Sequence, residues 1–196
     1  MKAKKVLEKI MDFLDEKDKV REQLVRQTRD VIRGSKNAIK EMYVRNFPKA
    51  EEYLQETRRN YLAIVNLAKK FPDLYYGGIV SNAAMEYVEA EIVYSLLTRG
   101  DDIPAPEDLS ATPIVFLLGL ADALSELRRF ILEDLRKGEL DEAENLLHLM
   151  ESLYLELSSL QYPEGLIPGF RRKCDMLRRL IDETKSDILF VKYRLK

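Results

Sequence analysis

Apolar residues recur at spacings of three and four along most of the chain, which is the period of an amphipathic helix. No segment shows the alternation of apolar and polar residues that is typical of a strand. The few Gly and Pro residues fall in clusters between the periodic segments. Gly34 lies inside the first of these segments, and because one Gly costs a helix only about 1 kcal/mol, we predict that this helix is continuous. The pattern predicts helices at 3–46, 49–71, 79–99, 111–137, 139–160 and 168–195.

The segments between the predicted helices carry residues typical of loops and helix ends. The clearest loop is 101–106, which contains two Asp and two Pro. Thr112 followed by Pro113 is typical of a helix start, since Thr caps the backbone and Pro suits the first turn. With no internal repeat and no low-complexity linker, residues 1–196 are predicted to form a single all-α domain. Long helices joined by short turns favour antiparallel packing, so we expect an antiparallel bundle.

Composition narrows the possible classes of protein. With 46% hydrophobic and 34% charged residues, neither a disordered nor a membrane-spanning chain is expected. The first residues are charged throughout and show no secretory signal, which favours a cytoplasmic location. The single Cys174 excludes an internal disulfide and a Cys-based zinc site, and the single His148 argues against His-rich metal sites and a Ser-His-Asp triad. Any catalysis would therefore depend on carboxylates.

Basic residues of the first predicted helix form a stripe, although the formal net charge of the chain is −2. Their spacing of three and four places them within an arc of about 80° on one face of the helix. Like charges at these spacings repel each other, so an external polyanion such as a phosphate backbone would explain the stripe. A solvated face, relieved by Glu residues of a neighbouring helix, is the alternative. The basic stripe consists of Arg26, Arg29, Arg33, Lys36 and Lys40.

Two pairs of acidic residues lie next to apolar segments. Glu86 and Glu89 are three residues apart, and Asp122 and Glu126 are four apart, so each pair shares one face of a helix. An ionised carboxylate near a buried surface is costly unless it is paired, protonated or bound to a metal. If the two helices pack together, the four groups could bind a hard cation, Mg²⁺ or Mn²⁺. Salt bridges to Arg99, Arg128 or Arg129 are the alternative.

Four segments together resemble the translin/Trax family. The first resembles the signature of the family's first helix, the second and third resemble the segments that carry the catalytic acids of Trax, and the fourth resembles the basic final helix. They follow one another in the family's order along nearly the whole chain. They are 24–36 (from LVRQTRDV to SK), 86–90 (EYVEA), 112–129 (TP, LLGLAD and ELRR) and 171–177 (RRKCDML).

The resemblance implies a fold of about seven helices and a closed shell of eight subunits with RNA inside. It also implies a Mg²⁺-dependent endoribonuclease activity in Trax-type subunits, with Glu86, Glu89, Asp122 and Glu126 at the catalytic positions. Arg129 matches a basic position after the last acid, and we assign it to RNA binding with the basic stripe. The translin branch lacks the complete acidic set, so the chain is nearer to Trax. The short segment before the second acidic pair indicates a compact prokaryotic or archaeal-type member.

These observations predict a cytoplasmic homo-oligomer that cleaves mainly single-stranded RNA and has no membrane partner. Its four acids would bind Mg²⁺ or Mn²⁺, and the basic stripe would hold the phosphate backbone. Three alternatives remain at this point. The chain could be a translin-like assembly that binds RNA or single-stranded DNA without cleaving it, an all-α nucleoside triphosphate pyrophosphohydrolase, or an oligomeric scaffold.

Overall fold

The computed structural model describes residues 2–194, and within them the chain forms seven helices and no strand. The all-α prediction is confirmed. None of these helices is both long and apolar enough to span a membrane. The helices are α1 (Lys2–Tyr43), α2 (Phe47–Ala68), α3 (Pro72–Tyr75), α4 (Gly78–Arg99), α5 (Pro113–Lys137), α6 (Leu140–Ser158) and α7 (Phe170–Arg194).

Helix boundaries agree with the sequence pattern to within about three residues, apart from one additional element. Helix α1 continues through Gly34, as predicted. The four-residue helix α3 lies between the predicted helices 49–71 and 79–99, where the pattern predicts only a connection. Pro72 is in its first turn, a position that Pro suits. Residue 195 of the last predicted helix lies outside the described residues.

The start of α5 is capped as predicted. The Thr112 side-chain oxygen accepts a hydrogen bond from the backbone N–H of Val115 at 3.4 Å, and Pro113 lies in the first turn. This cap satisfies one backbone donor that the helix itself leaves unpaired. It thereby fixes where the helix that carries Asp122 and Glu126 begins.

Helix α4 lies at the centre of the packing, in contact with α1, α2 and α5, while α5 also packs against α6 and α7. Because α4 has neighbours on several sides, apolar residues are buried around most of its circumference. Acidic side chains on such a helix are exceptions that need partners. The fully buried side chains of α4 include Ala83, Tyr87, Val88, Ala90, Ile92 and Val93.

Helices α4 and α5 touch at Gly119. A Cβ atom on Gly119 would lie 2.7 Å from Val88 Cγ1 and 3.2 Å from the Met85 carbonyl oxygen. No side chain therefore fits between the two helices at this point without a shift of one of them. Met85 and Val88 adjoin Glu86 and Glu89, so this contact sets the spacing of the helices that carry the acidic pairs.

Gly119→Ala should destabilise the protein by about 1–3 kcal/mol, because overpacking at the α4–α5 contact outweighs the better helix propensity of Ala. Urea denaturation followed by circular dichroism measures the change. Gly78→Ala is the matched control, since a Cβ atom there meets nothing within 4 Å and Gly78 begins α4. Equal stability of the two variants would show that a methyl group fits at the α4–α5 contact.

A buried ion pair fastens the end of α1 to α5. The Arg45 guanidinium donates to both carboxylate oxygens of Asp134, at 2.6 and 2.8 Å, and the Asp134 side chain is 1% exposed. Arg45 has a φ of 58°, a left-handed conformation that is uncommon for a residue with a side chain. Arg45 adopts this conformation in the turn between α1 and α2, and its side chain forms the ion pair with Asp134.

The N-terminal turns of α1 carry large apolar side chains that are exposed. They recur at spacings of three and four, so they form a stripe on the helix. A contiguous exposed apolar surface of this kind is typical of a contact with another protein surface. This α1 apolar patch consists of Val6, Leu7, Ile10, Met11, Phe13 and Leu14, each between 48% and 61% exposed.

Candidate active site

The four predicted acids come together because α4 and α5 pack side by side. Glu86 and Glu89 lie on α4, and Asp122 and Glu126 lie on α5. All four are partly exposed, and the charges of the other three act on Glu89. The two helix faces that the sequence spacing defines therefore meet at one place.

A groove of about 340 Å³ opens beside these acids and has walls of opposite charge. Glu86 and Glu89 of α4 and Glu126 of α5 supply the acidic side. The opposite wall belongs mainly to α1, whose basic stripe reaches the groove at its C-terminal end. The lining residues, which define the acidic groove, are Lys36, Ile39, Lys40, Tyr43, Glu86, Glu89, Glu126 and Arg129.

The protonation of Glu89 is shifted by burial and by the neighbouring carboxylates. Burial, followed by repulsion from Asp122, Glu86 and Glu126, raises its pKa to about 8, and the charge of Lys173 opposes this shift. Within residues 2–194 its carboxyl group makes neither a hydrogen bond nor a salt bridge. At neutral pH the side chain therefore retains its proton in most molecules when no cation is bound.

Each of the other three acids has a cationic partner. Lys36 lies 3.6 Å from Glu86. Asp122 accepts a hydrogen bond from the Lys173 ammonium group, which belongs to α7. Glu126 accepts a hydrogen bond from Arg129 at 3.0 Å, one of the salt bridges that the sequence left open. Arg128, another candidate partner, instead donates to α7, at Thr184 and Asp187.

Tyr43 and Lys173 are site residues that the sequence analysis missed. The Tyr43 hydroxyl donates to Glu126 at 2.5 Å, and its ring stacks on Phe130 and under the Arg129 guanidinium. Burial is the main cause that raises the pKa of Tyr43, so it remains a neutral donor. Position 43 continues the spacing of the basic stripe after Lys40, which was an available signal. Nothing in the sequence places Lys173 beside Asp122.

The basic stripe is exposed along its whole length, but only its end reaches the acids. Lys36 and Lys40 line the acidic groove, whereas Arg26, ten residues before Lys36, is about 15 Å away along the axis of α1. Arg33 is paired with Asp30 at 2.7 Å, and Arg29 is exposed. The structure therefore places Lys36, Lys40 and Arg129 at the groove, with the first three residues of the stripe further along the helix.

The donor chemistry of the acids fits a hard divalent cation. All four groups are carboxylates, which Mg²⁺ and Mn²⁺ prefer, and Glu89 is unpaired among three carboxylates that oppose its ionisation. Within residues 2–194, no three Asp, Glu, His or Cys side chains are positioned to hold one ion. Lys36, Lys173 and Arg129 engage the other three acids.

The raised pKa of Glu89 makes stability depend on pH. The unfolded chain releases this proton near pH 4.5, whereas the folded chain holds it to about pH 8. We therefore expect the free energy of unfolding, measured in chelator, to fall as pH rises from about 4.5 to about 8. Glu89→Gln should flatten this slope in denaturation curves across that range. An unchanged slope in the variant would assign the effect to other groups.

Comparisons with known proteins agree with this architecture. An uncharacterized protein of Methanocaldococcus jannaschii is 30% identical over 190 residues, covering 95% of this chain and 83% of that protein. AfC3PO in a complex with duplex RNA has a TM-score of 0.86 and 30% identity, covering 96% of this chain and 97% of that chain. Apo-NeC3PO has a TM-score of 0.85 and 25% identity, covering 94% and 96%.

No family model matches the sequence, so family membership depends on these relatives. The similarity covers both chains almost completely, and it includes all the helices that carry the groove. At 30% identity over this length, it extends beyond the fold to the sequence itself. The chain therefore belongs to the translin family, the family of the C3PO proteins.

Proposed function

We propose that the chain is a divalent-cation-dependent endoribonuclease of the Trax-like, catalytic branch, acting mainly on single-stranded RNA. The observation that carries this proposal is the meeting of four carboxylates where α4 packs against α5, three of which line a groove whose opposite wall is basic. Acids and bases on facing walls suit a substrate that is both anionic and hydrolysed at its phosphate. Proteins that only bind RNA need the basic wall but not the acids.

In this proposal the basic residues bind RNA, the acids hold the ion, and Tyr43 positions Glu126. Lys36 and Lys40 hold the phosphate oxygens of the RNA backbone, and Arg26, Arg29 and Arg33 extend this contact along α1. Their binding is electrostatic, so it is tolerant of base sequence and weakened by salt. Arg129 lies at the groove, where the Tyr43 ring and the Glu126 carboxylate hold its guanidinium in place beside the acids.

The acids carry the chemistry. Glu86, Glu89, Asp122 and Glu126 would hold Mg²⁺ or Mn²⁺, which supplies Lewis acidity at the phosphodiester. Glu89 is the one of these four acids that has no hydrogen-bond or salt-bridge partner within residues 2–194, so its carboxyl group is the most available to the ion. Tyr43 and Arg129 keep the Glu126 carboxylate in place by their hydrogen bonds. The groove excludes part of the solvent around these groups.

The RNA-bound state of AfC3PO supports RNA as the ligand class, since that chain is 30% identical and superposes over almost its full length. The same relationship gives no support to a nucleoside triphosphate pyrophosphohydrolase. The exposed α1 apolar patch supports self-association, and we propose a homo-oligomer, an octamer, whose subunits cover these side chains.

A non-catalytic RNA-binding assembly is the second candidate, and one observation favours it. Three of the four acids have cationic partners, and no three acidic side chains among residues 2–194 are positioned around one ion. If these ion pairs persist in the presence of divalent ions, the acids are structural and the protein binds RNA without cutting it.

Removal of divalent ions should stop cleavage and leave binding intact. The purified full-length chain is incubated with labelled single-stranded, duplex and hairpin RNA, in Mg²⁺, in Mn²⁺ and in EDTA. We expect cleavage in either ion, none in EDTA, and recovery when the ion is returned. Fluorescence anisotropy should show binding in all three buffers, weakening as salt increases. Binding without cleavage under every divalent ion would favour the second candidate.

A further inference from the structure

Lys173 brings a positive charge from α7 into the acidic cluster of α4 and α5. It lies near the start of α7, and its ammonium group donates to Asp122 Oδ1. Both side chains are about one-quarter exposed. Within residues 2–194, the exposed side chains of Arg171 and Arg172 make no hydrogen bond or salt bridge, so Lys173 is the basic residue of this run that pairs with an acid.

The charge of Lys173 reaches beyond its hydrogen-bond partner. It also acts on Glu89, where it opposes the repulsion of the other carboxylates. Lys36 and Arg129 contact the cluster from exposed positions on the groove walls, with side chains 64% and 66% exposed. Lys173 is the less solvated cation, at 26%, and its interaction is therefore the least screened of the three.

We propose that Lys173 is a built-in competitor of the divalent cation, a positioning residue that sets the metal affinity of the site. The inference rests on the proposed function, because it takes the four acids as the metal ligands. A carboxylate that accepts a hydrogen bond from an ammonium group is a poorer ligand, so the ion binds only when Lys173 gives up Asp122. Lys173 thus stabilises the cation-free site and raises the ion concentration needed to fill it.

A purely structural role for Lys173 would be to fasten α7 to α5. Other contacts already do this: Arg128 of α5 donates to Thr184 and Asp187 of α7 at 2.7 and 2.9 Å. Leu177 and Ile181 of α7 are buried as well. The two roles differ in their effect on metal binding, because a fastening residue leaves ion affinity unchanged or weakens it, whereas removal of a competitor strengthens it.

The test is Mn²⁺ binding by Lys173→Met, measured without RNA by calorimetry and by the loss of the free-ion electron paramagnetic resonance signal. Removal of one unit charge beside the acids should lower the Kd for Mn²⁺ about tenfold. In EDTA the melting temperature should fall relative to wild type, and Mn²⁺ should raise it by more than in wild type. Lys173→Gln is measured in parallel and should show the same directions.

Two control variants separate charge from position. Lys173→Arg keeps the charge and should bind Mn²⁺ with nearly the wild-type Kd. Lys192→Met removes another ion pair of α7, to Glu144 of α6 at 2.6 Å, outside the cluster, and should leave the Kd unchanged. An unchanged or weaker Mn²⁺ affinity in both Lys173→Met and Lys173→Gln overturns the competition.

Failure of this inference is distinguishable from failure of the proposed function. Tighter Mn²⁺ binding in Lys173→Met without RNA cleavage by any variant supports the competition and contradicts the nuclease. If the wild type cleaves RNA only with a divalent cation, but wild type and Lys173→Met have equal Kd values for Mn²⁺, the competition between Lys173 and the cation is contradicted and the proposed function is not. If neither wild type nor Lys173→Met binds Mn²⁺ at millimolar concentration, both are wrong.

Discussion

Glu89→Gln should reduce RNA cleavage by about 100-fold or more while RNA binding is retained. The amide has the shape of the carboxyl group but can neither accept a proton from water nor bind a divalent ion strongly. Glu89 retains its proton near neutral pH in the cation-free protein, so a neutral substitute preserves the charge of the folded state. Initial rates in Mg²⁺ and anisotropy in EDTA, on the same labelled RNA, measure the two effects separately.

Glu91→Gln is the matched control for this variant. Glu91 lies two residues further along α4, is partly exposed like Glu89, and has a pKa that burial also raises. It lines a different groove, of about 460 Å³, between α2, α4 and the loop after α4. Its variant should cleave at the wild-type rate. If Glu89→Gln also cleaves at that rate, the acidic groove is not the catalytic site.

Arg45→Met should destabilise the protein by about 3 kcal/mol, the largest effect on stability that we expect. The substitution keeps an unbranched side chain but leaves the buried Asp134 carboxylate without its two hydrogen bonds. An unpaired buried charge costs far more than the loss of an exposed ion pair. Guanidinium chloride denaturation gives the change in free energy of unfolding.

The control for this prediction is Arg136→Met, two residues beyond Asp134 on α5. Arg136 pairs with Glu133 at 2.6 Å, but its side chain is 71% exposed, so its loss should cost less than about 1 kcal/mol. The double variant Arg45→Met, Asp134→Asn has no unpaired buried carboxylate at position 134 and should therefore be more stable than Arg45→Met alone. If Arg45→Met is no less stable than Arg136→Met, the Arg45–Asp134 pair contributes no more than a surface pair.

Local patterns were sufficient to predict the helices and the faces on which charged residues lie. The spacings of Glu86 with Glu89 and of Asp122 with Glu126 define one face each, and apolar neighbours place both faces near the core. The same reasoning places the basic stripe on the exposed side of α1. These features depend on residues within a few turns of one helix, which is the range over which sequence periodicity carries information.

Contacts between helices were beyond the reach of these patterns. Lys173 meets Asp122 because α7 packs against α5 at a particular rotation, which no spacing along the chain records. The end of α1 was predicted three residues too late for a similar reason. Arg45 leaves the helical conformation at a position where its side chain pairs with Asp134, 89 residues away. Tertiary packing, and not local propensity, decides both features.

The contact at Gly119 has a consequence for how firmly the two acidic pairs are held. Where one helix rests on another through side chains, rotamer changes in that intervening layer let the axes drift apart or together. Here the Met85 carbonyl group and a Val88 methyl group lie directly against Gly119, which has no side chain. Rotamer changes of a side chain at position 119 therefore cannot alter the distance between the helices. The distance between the two acidic pairs is consequently set at this point by main-chain atoms and one Val88 methyl group, and not by a layer of flexible side chains.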